Sequence, residues 1–318
     1  MPRFRGRVMQ TRRDILKAAV GVAGAAALAR PFGTVFASAP EPRTPVNFHV
    51  PAGACDCHTH IFDPGKFPYA ASRPYTPETA SISDVRTLHR ALHIDRVVIS
   101  QPTVYGEDHA CTLDAIRRIG RRARGVAAFD ASTSSAELDQ LHRGGIRGLV
   151  VHKMSDFKDA AAQIGDRPWN IETYVRLPQM EALKDQLMAS KVAVKLTLFG
   201  GAQNGDVHQP GFDTLLGLLR SGRVYVELST PTHISKQAPD YRDAAPVANA
   251  LIEANPQRIT WGSDWPHAAT VPGRQMTGTV PFEQIDDAVS LNLLATWASG
   301  ADQLKLILVD NPARLYGF

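Results

Sequence analysis

The stretch 53–60, Gly-Ala-Cys-Asp-Cys-His-Thr-His, decides how this sequence folds. It is short and places polar residues at alternate positions, which predicts a β-strand. Side chains of a strand point alternately to its two faces, so we expect His58 and His60 on one face together with Asp56. The other face is expected to point toward outer helices and to carry Cys55, Cys57 and Thr59.

Seven further β-rich runs follow along the chain, at 96–101, 125–130, 146–152, 169–175, 192–198, 224–229 and 258–263. Amphipathic, helical patterns lie between or after them, at 83–92, 113–121, 136–143, 177–190, 212–220, 243–254 and 288–299. Eight βα units over roughly 250 residues predict an α/β fold of the (β/α)8 TIM-barrel type, as a single domain over 40–318. A doubly wound sheet is the alternative, but no Gly-rich dinucleotide fingerprint follows the first strand.

The eighth predicted strand leads directly into Asp264, within Trp-Gly-Ser-Asp-Trp at 261–265. In a closed barrel the first and eighth strands are neighbours, and their carboxyl ends open on the same mouth. We therefore predict that His58, His60 and Asp264 meet there as catalytic groups. The same three residues are the candidate ligands if a metal is bound.

The N-terminal segment 1–39 has the pattern of a twin-arginine export signal. Arg12 and Arg13 precede an apolar run at 18–29, and Ala-Ser-Ala at 37–39 is typical of a cleavage site. A membrane-spanning helix is the alternative, but the run is much shorter than the roughly 20 residues that a span needs. The sequence therefore predicts export to the periplasm, with no membrane association once the signal is removed.

The charge of the chain is concentrated in that segment. Lys and Arg number 35 and Asp and Glu 31, of which seven and one lie in 1–39, which leaves 28 and 30 and a net charge of −2. A slightly acidic body without a basic run argues against nucleic acid as a partner. The three cysteines form no disulfide framework. We expect a small-molecule substrate, and the sequence leaves monomer and homo-oligomer open.

Several motifs resemble the amidohydrolase-related, metal-dependent hydrolases: DCHTHIFDP at 56–64, QPTVYG at 101–106, GVAAFD at 125–130, GIRGL at 145–149, WGSDWPH at 261–267 and VDNPARLYGF at 309–318. Within that family the sequence is most similar to the 2-pyrone-4,6-dicarboxylate lactonases and sulfomuconolactone hydrolases. The resemblance implies a barrel that hydrolyses a small cyclic ester. It also implies that the reaction proceeds either without a metal, as in those lactonases, or with one zinc, as in relatives.

The sequence departs from the family pattern at three places. The sixth strand, with Val-Lys-Leu-Thr-Leu-Phe-Gly at 194–200, lacks the expected Asp-His pair. Val150 on the fourth strand and His233 after the seventh stand where the lactonases have arginines. A two-metal site is therefore not expected, and the substrate is expected to differ from the pyrone dicarboxylate itself.

Further polar side chains are predicted near the mouth as substrate-binding candidates. Arg73 and Tyr75 lie in the Pro-rich loop after the first strand, and the others follow later strands: His152, Lys153, Tyr174, His233 and His267. In a lactone hydrolase Asp264 would take a proton from water while the histidines polarise the carbonyl. Two alternatives stay open: a metal-dependent decarboxylase of an unsaturated acid, and a non-catalytic barrel that binds a lactone or acid.

Overall fold

The computed structural model describes residues 39–269, 275–276 and 278–318, so the expected export signal lies outside the described residues except for Ala39. Eight parallel strands form one sheet in which each strand pairs with the next along the chain. The strands are β1 Cys55–Thr59, β2 Arg96–Ser100, β3 Ala123–Ala128, β4 Ile146–Val151, β5 Asn170–Thr173, β6 Ala193–Leu196, β7 Val224–Leu228 and β8 Ile259–Trp261. The predicted (β/α)8 architecture is confirmed.

The helices cover the outside of this sheet. They are α1 Ile82–Leu92, α2 Ala110–Ile119, α3 Ser135–Arg143, α4 Phe157–Ile164, α5 Met180–Ala189, α6 Phe212–Arg220, α7 Ala245–Ala254, α8 Asp287–Trp297, α9 Ala301–Lys305 and α10 Asn311–Tyr316. Ser81 and Asp84 form a capping box at the start of α1, and this satisfies backbone N–H groups that the first turn leaves free. Within the described part of the chain, no helix is both long and apolar enough to cross a membrane.

The face assignment predicted for β1 is wrong in part, because the strand contains a bulge. Asp56 pairs with Val97 of β2 but Thr59 pairs with Ile99, so β1 uses one residue more than its partner. Below the bulge, Cys55 and Cys57 pack inside the barrel with other interior side chains, namely Val98, Val126, Val150, Tyr225, Leu315 and Tyr316.

Asp56 consequently points out of the barrel rather than toward the face of the two histidines. Its Oδ2 accepts a hydrogen bond from Ser263 Oγ at 2.6 Å and lies 3.1 Å from His89 Nε2 on α1. Its Oδ1 accepts from the Ser263 N–H at 2.9 Å. This carboxylate joins β1 to the end of β8, where no continuous ladder closes the sheet.

The C-terminal residues close the N-terminal end of the barrel. Arg124 on β3 donates to the Gly317 carbonyl at 2.7 Å, and its guanidinium lies 4.7 Å from the centre of the Phe318 ring. Leu315 and Tyr316 pack on the interior side chains of the strands. The carboxyl end of the barrel is left as the open mouth.

Candidate active site

Three side chains predicted from the two ends of the sequence lie together at the mouth. Asp264 Oδ1 is 3.6 Å from His58 Nε2 and 3.5 Å from His60 Nε2. The backbone fixes this arrangement, since the Asp264 N–H donates to the His58 carbonyl at 2.8 Å and the His60 N–H donates to the Trp265 carbonyl at 2.9 Å. The strand ends therefore converge as barrel topology requires.

The tautomer of His60 follows from its surroundings. Its Nδ1 lies 2.9 Å from the Ser100 carbonyl on β2, and a carbonyl oxygen can only accept. Nδ1 therefore carries a proton, and Nε2 faces Asp264, where it donates to the carboxylate when it is protonated and can ligate a metal when it is not. This is how an imidazole is commonly prepared to bind a metal or to accept a proton.

His58 is turned toward carboxylates on both sides. Its Nδ1 lies 3.1 Å from Glu227 Oε1 and 3.8 Å from Glu172 Oε1. Burial alone would lower the pKa of His58, but the charges of Glu227, Glu172 and Asp264 raise it to about 10. Without a metal, this ring is therefore an imidazolium at neutral pH.

The charge of Asp264 is set by the two histidines beside it. Burial would raise its pKa, but the hydrogen bond from His60 and the positive charge of His58 hold the pKa well below its usual range. Asp264 is thus an ionised acceptor throughout the neutral range.

A lysine lies beneath these groups, in the centre of the barrel. Lys195 on β6 is 0% exposed; its Nζ lies 2.7 Å from Glu172 Oε2, donates to the Cys57 carbonyl at 2.9 Å and also contacts the carboxylate of Glu227. Burial would lower the pKa of Lys195, but the two glutamates raise it well above its ordinary value. In return Lys195 and His58 lower the pKa of Glu172 to about 2, against the effect of burial. Lys195 and Glu172 are therefore both charged at neutral pH.

Sequence reasoning missed Lys195 and Glu227. A signal was present, because Lys195 lies between Val194 and Leu196 in an otherwise apolar strand. An isolated charge at an interior position of a barrel strand needs a partner of opposite charge.

The mouth contains a cavity of about 330 Å³, of the size that takes a small ring. His58, His60, Asp264 and Glu172 contribute to its lining. The other lining residues mainly present hydroxyl, amide, aromatic and apolar groups, and they are Tyr75, Ser100, Gln101, Thr103, Val150, His152, Thr173, Tyr174, Thr197 and Leu198. Among the described residues no arginine or lysine lines it. A larger groove of about 960 Å³ between α2 and α3 contains none of the three catalytic candidates.

Of the predicted substrate-binding residues, Tyr75, His152 and Tyr174 line this cavity and the other four do not. His152, Lys153 and His233 are all exposed, but only His152 borders the cavity.

Two of the four are held by other parts of the structure. The guanidinium of Arg73 is engaged within its own loop, by Thr76 Oγ1 at 2.7 Å and the Ala70 carbonyl at 3.1 Å. His267 is buried, with Nε2 3.0 Å from Oδ1 of Asp287 at the start of α8. It therefore supports the loop that follows Asp264 instead of facing the cavity.

The residues of the mouth fit a single divalent cation. Tetrahedral zinc with bonds of about 2.0–2.1 Å places its ligands about 3.3 Å apart, close to the 3.5 and 3.6 Å between Asp264 Oδ1 and the two Nε2 atoms. The Ser100 carbonyl directs His60 so that Nε2 faces this position, and Glu227 lies behind His58 as the carboxylate that commonly orients a ligating imidazole.

The sequence profile of the amidohydrolase family matches residues 55–184 and 199–318. The chain is 33% identical over 285 residues to a 4-sulfomuconolactone hydrolase of Rhizobium radiobacter, with 86% of this chain and 93% of that protein covered. It is 34% identical over 289 residues to a 2-pyrone-4,6-dicarboxylate hydrolase of Comamonas testosteroni, with 85% and 92% covered. A crystal structure of an Agrobacterium tumefaciens protein shares the fold, with a TM-score of 0.75, 23% identity and coverage of 86% and 99%. The chain belongs to the amidohydrolase family.

Proposed function

We propose that this protein is a hydrolase that opens the ring of a small lactone of a carboxylic or sugar acid. The observation that carries the proposal is the meeting of His58, His60 and Asp264 at the floor of a cavity sized for one small ring. The two relatives named above, both hydrolases that cover most of the chain, support the same reaction class.

In the proposed reaction Asp264 accepts a proton from a water molecule as that water attacks the ring carbonyl. Asp264 has a low pKa and is a weak base at rest, so the transfer has to accompany C–O bond formation, when the water becomes acidic. The imidazolium of His58 stabilises the negative charge that develops on the carbonyl oxygen. Collapse of the tetrahedral intermediate breaks the ring C–O bond, and Asp264 returns the proton to the leaving oxygen.

The charge of the site indicates a substrate with few carboxylates. Asp264, Glu172 and Glu227 contribute three negative charges, whereas Lys195 and protonated His58 contribute two positive ones. Without a metal a dicarboxylate would enter a net negative cavity, and with or without one no described arginine or lysine lines the site. We therefore propose a neutral or singly carboxylated lactone, which differs from the pyrone dicarboxylate.

We propose that any metal is a single divalent ion, with zinc as the best match, held by His58, His60 and Asp264. When bound, such an ion supplies Lewis-acid polarisation of the carbonyl and lowers the pKa of water. His58 would then be a neutral imidazole with its proton on Nδ1, facing Glu227. The two charges of the ion and the charge of Lys195 would together balance the three carboxylates.

The proposal is tested by assaying ring opening with a panel of a neutral sugar lactone, a monocarboxylated muconolactone and the pyrone dicarboxylate. The protein as purified, its metal content measured, is compared with protein treated with chelator. We expect ring opening of the neutral sugar lactone or of the monocarboxylated muconolactone, and little ring opening of the pyrone dicarboxylate. Tight binding of a lactone without ring opening would favour the non-catalytic alternative and contradict the proposal.

We further propose that the protein acts in the periplasm after twin-arginine export. The motif Arg12-Arg13 and the small residues at 37–39 support this. Replacing both arginines with lysine should retain the protein in the cytoplasm, as measured by fractionation. Undiminished delivery of that variant to the periplasm would overturn this assignment.

A further inference from the structure

The ammonium group of Lys195 is held in a cage of three oxygen groups: Nζ donates to the Glu227 carboxylate and the Cys57 carbonyl and lies 2.7 Å from Glu172 Oε2. These groups lie on three different strands. The Tyr316 ring, 5.8 Å from Nζ, closes the cage from below. Because the residue is 0% exposed and enclosed by these groups, Lys195 is not available to contact a substrate.

The same carboxylates belong to a second set of metal-type ligands. Atoms of His58, Glu172 and Glu227 lie within 4.8 Å of one another. This set shares His58 with the set that contains Asp264, but the glutamates face Nδ1 of the ring and Asp264 faces Nε2. His58 Nδ1 and Glu227 Oε1 face each other, both buried and without a hydrogen bond of good geometry. His58 is only 8% exposed, so these ligand atoms lie inside the protein and not on an acidic surface.

We propose that the Lys195 ammonium is a built-in cation that occupies a second divalent-metal site formed by Glu172, Glu227 and His58, and so restricts the mouth to one metal. The inference concerns the cation content of the barrel and holds whatever lactone the enzyme opens. It assigns a function to the residue that stands in β6, in the segment 185–198 that the family profile leaves unmatched.

Charge and permanence support an ammonium in this role. Two buried carboxylates so close together need a positive charge between them, since a single buried carboxylate is costly to ionise. Nζ of Lys195 contacts both carboxylates at once, so one ammonium supplies the compensating charge to Glu172 and Glu227. A tethered cation cannot dissociate into the solvent, as a metal ion can.

The test is Lys195→Ala in the full-length mature protein, with Mn²⁺ and Zn²⁺ as probes. Bound metal per chain is measured by elemental analysis after gel filtration, and Tm is measured in chelator and in excess cation. We expect the variant to bind one equivalent more than the parent. We also expect its Tm to fall by roughly 5–15 °C in chelator and to recover most of that loss with cation.

Two variants serve as controls. Lys191→Ala removes an exposed lysine just before β6 and should change neither metal content nor Tm appreciably. The triple variant Lys195→Ala, Glu172→Gln, Glu227→Gln should not bind the additional equivalent of metal. Added cation should not restore its Tm.

The proposal is overturned if Lys195→Ala binds no additional metal, or if it stays unfolded at every cation concentration. It is also overturned if the parent itself binds two equivalents. A parent that binds no metal would contradict only the single-zinc assignment at Asp264, because the gain in the variant remains measurable. Failure to open any lactone would likewise leave this inference intact.

Discussion

Nδ1 of His58 lies 3.1 Å from Oε1 of Glu227, on the side of the imidazole away from Asp264. This carboxylate determines which nitrogen of the ring faces the cavity, and it favours a proton on Nδ1. Glu227 therefore supports His58 both as an imidazolium and as a metal ligand, since in each case Nε2 must point toward Asp264.

Glu227→Gln should lower kcat for lactone opening, or the affinity for metal, by roughly 10- to 100-fold. Glutamine keeps the size of the side chain but removes the charge that orients His58 and helps to raise its pKa. Steady-state kinetics and a metal titration measure the effect. Glu253→Gln, at an exposed glutamate on α7, is the matched control. If Glu227→Gln had the activity of the parent, Glu227 would have no role in orienting His58.

Glu172 should make the stability of the metal-free protein depend on pH on the acid side. Its pKa falls from an ordinary 4.5 to about 2 in the folded state. A lowered pKa stabilises the fold fully above pH 4.5, and that stabilisation is lost as pH falls toward 2. The difference in unfolding free energy between parent and Glu172→Gln should therefore shrink by roughly 2 kcal/mol from pH 6 to pH 3.

Urea unfolding in chelator at several pH values measures this difference. Glu253→Gln should give a difference from the parent that stays constant over the same range. A constant difference for Glu172→Gln as well would show that Glu172 is not held ionised by Lys195 and His58.

The barrel and the convergence at its mouth could be predicted because they depend on local signals and on a general rule of topology. Period-two alternation placed His58 and His60 on one face, and Asp264 ends a strand that a closed barrel puts beside them. Neither inference required knowledge of side-chain packing.

The bulge in β1 could not be predicted, because it is a relation between two strands. Whether Asp56 or Cys57 faces the interior depends on the register with β2, where Asp56 pairs with Val97 and Thr59 with Ile99. The sequence of β1 alone fits an unbroken alternation equally well, and a shift of one residue reverses the faces below it.

The central ion cluster was missed for a related reason. The position of Lys195 in an apolar strand indicates an interior charge, but its partner depends on register. Lys195 stands directly beside Glu172 on β5, and Glu227 reaches the same ammonium from β7. Such pairs become visible only when three strands are aligned.

Val150→Arg should shift specificity toward dicarboxylated lactones. Val150 lines the cavity on β4, where an arginine would place a guanidinium beside the net negative site. One charge-assisted pair contributes about 1.5–3 kcal/mol, so we expect kcat/KM for the pyrone dicarboxylate to rise by roughly 10- to 100-fold. Val150→Met, of similar length but uncharged, controls for the added bulk, and an equal rise in that variant would argue against charge as the determinant.

Asp264→Asn tests the group on which the proposed reaction depends. Asparagine keeps the size and one oxygen of the side chain but can no longer accept a proton from water. Turnover of a lactone substrate should fall by roughly 100-fold or more, the scale of a lost general base. Binding of the same lactone, measured by calorimetry, should change far less, because the hydroxyl and aromatic groups of the cavity remain.

Metal content has to be measured in the same samples, because Asp264 is also a candidate ligand. A fall in turnover at unchanged metal content assigns the loss to the base, whereas a fall that excess zinc reverses assigns it to ligation. Asp185→Asn, at an exposed position on α5, controls for the substitution itself. Turnover close to that of the parent would exclude Asp264 as the base and leave the attacking water to be activated by the histidine pair.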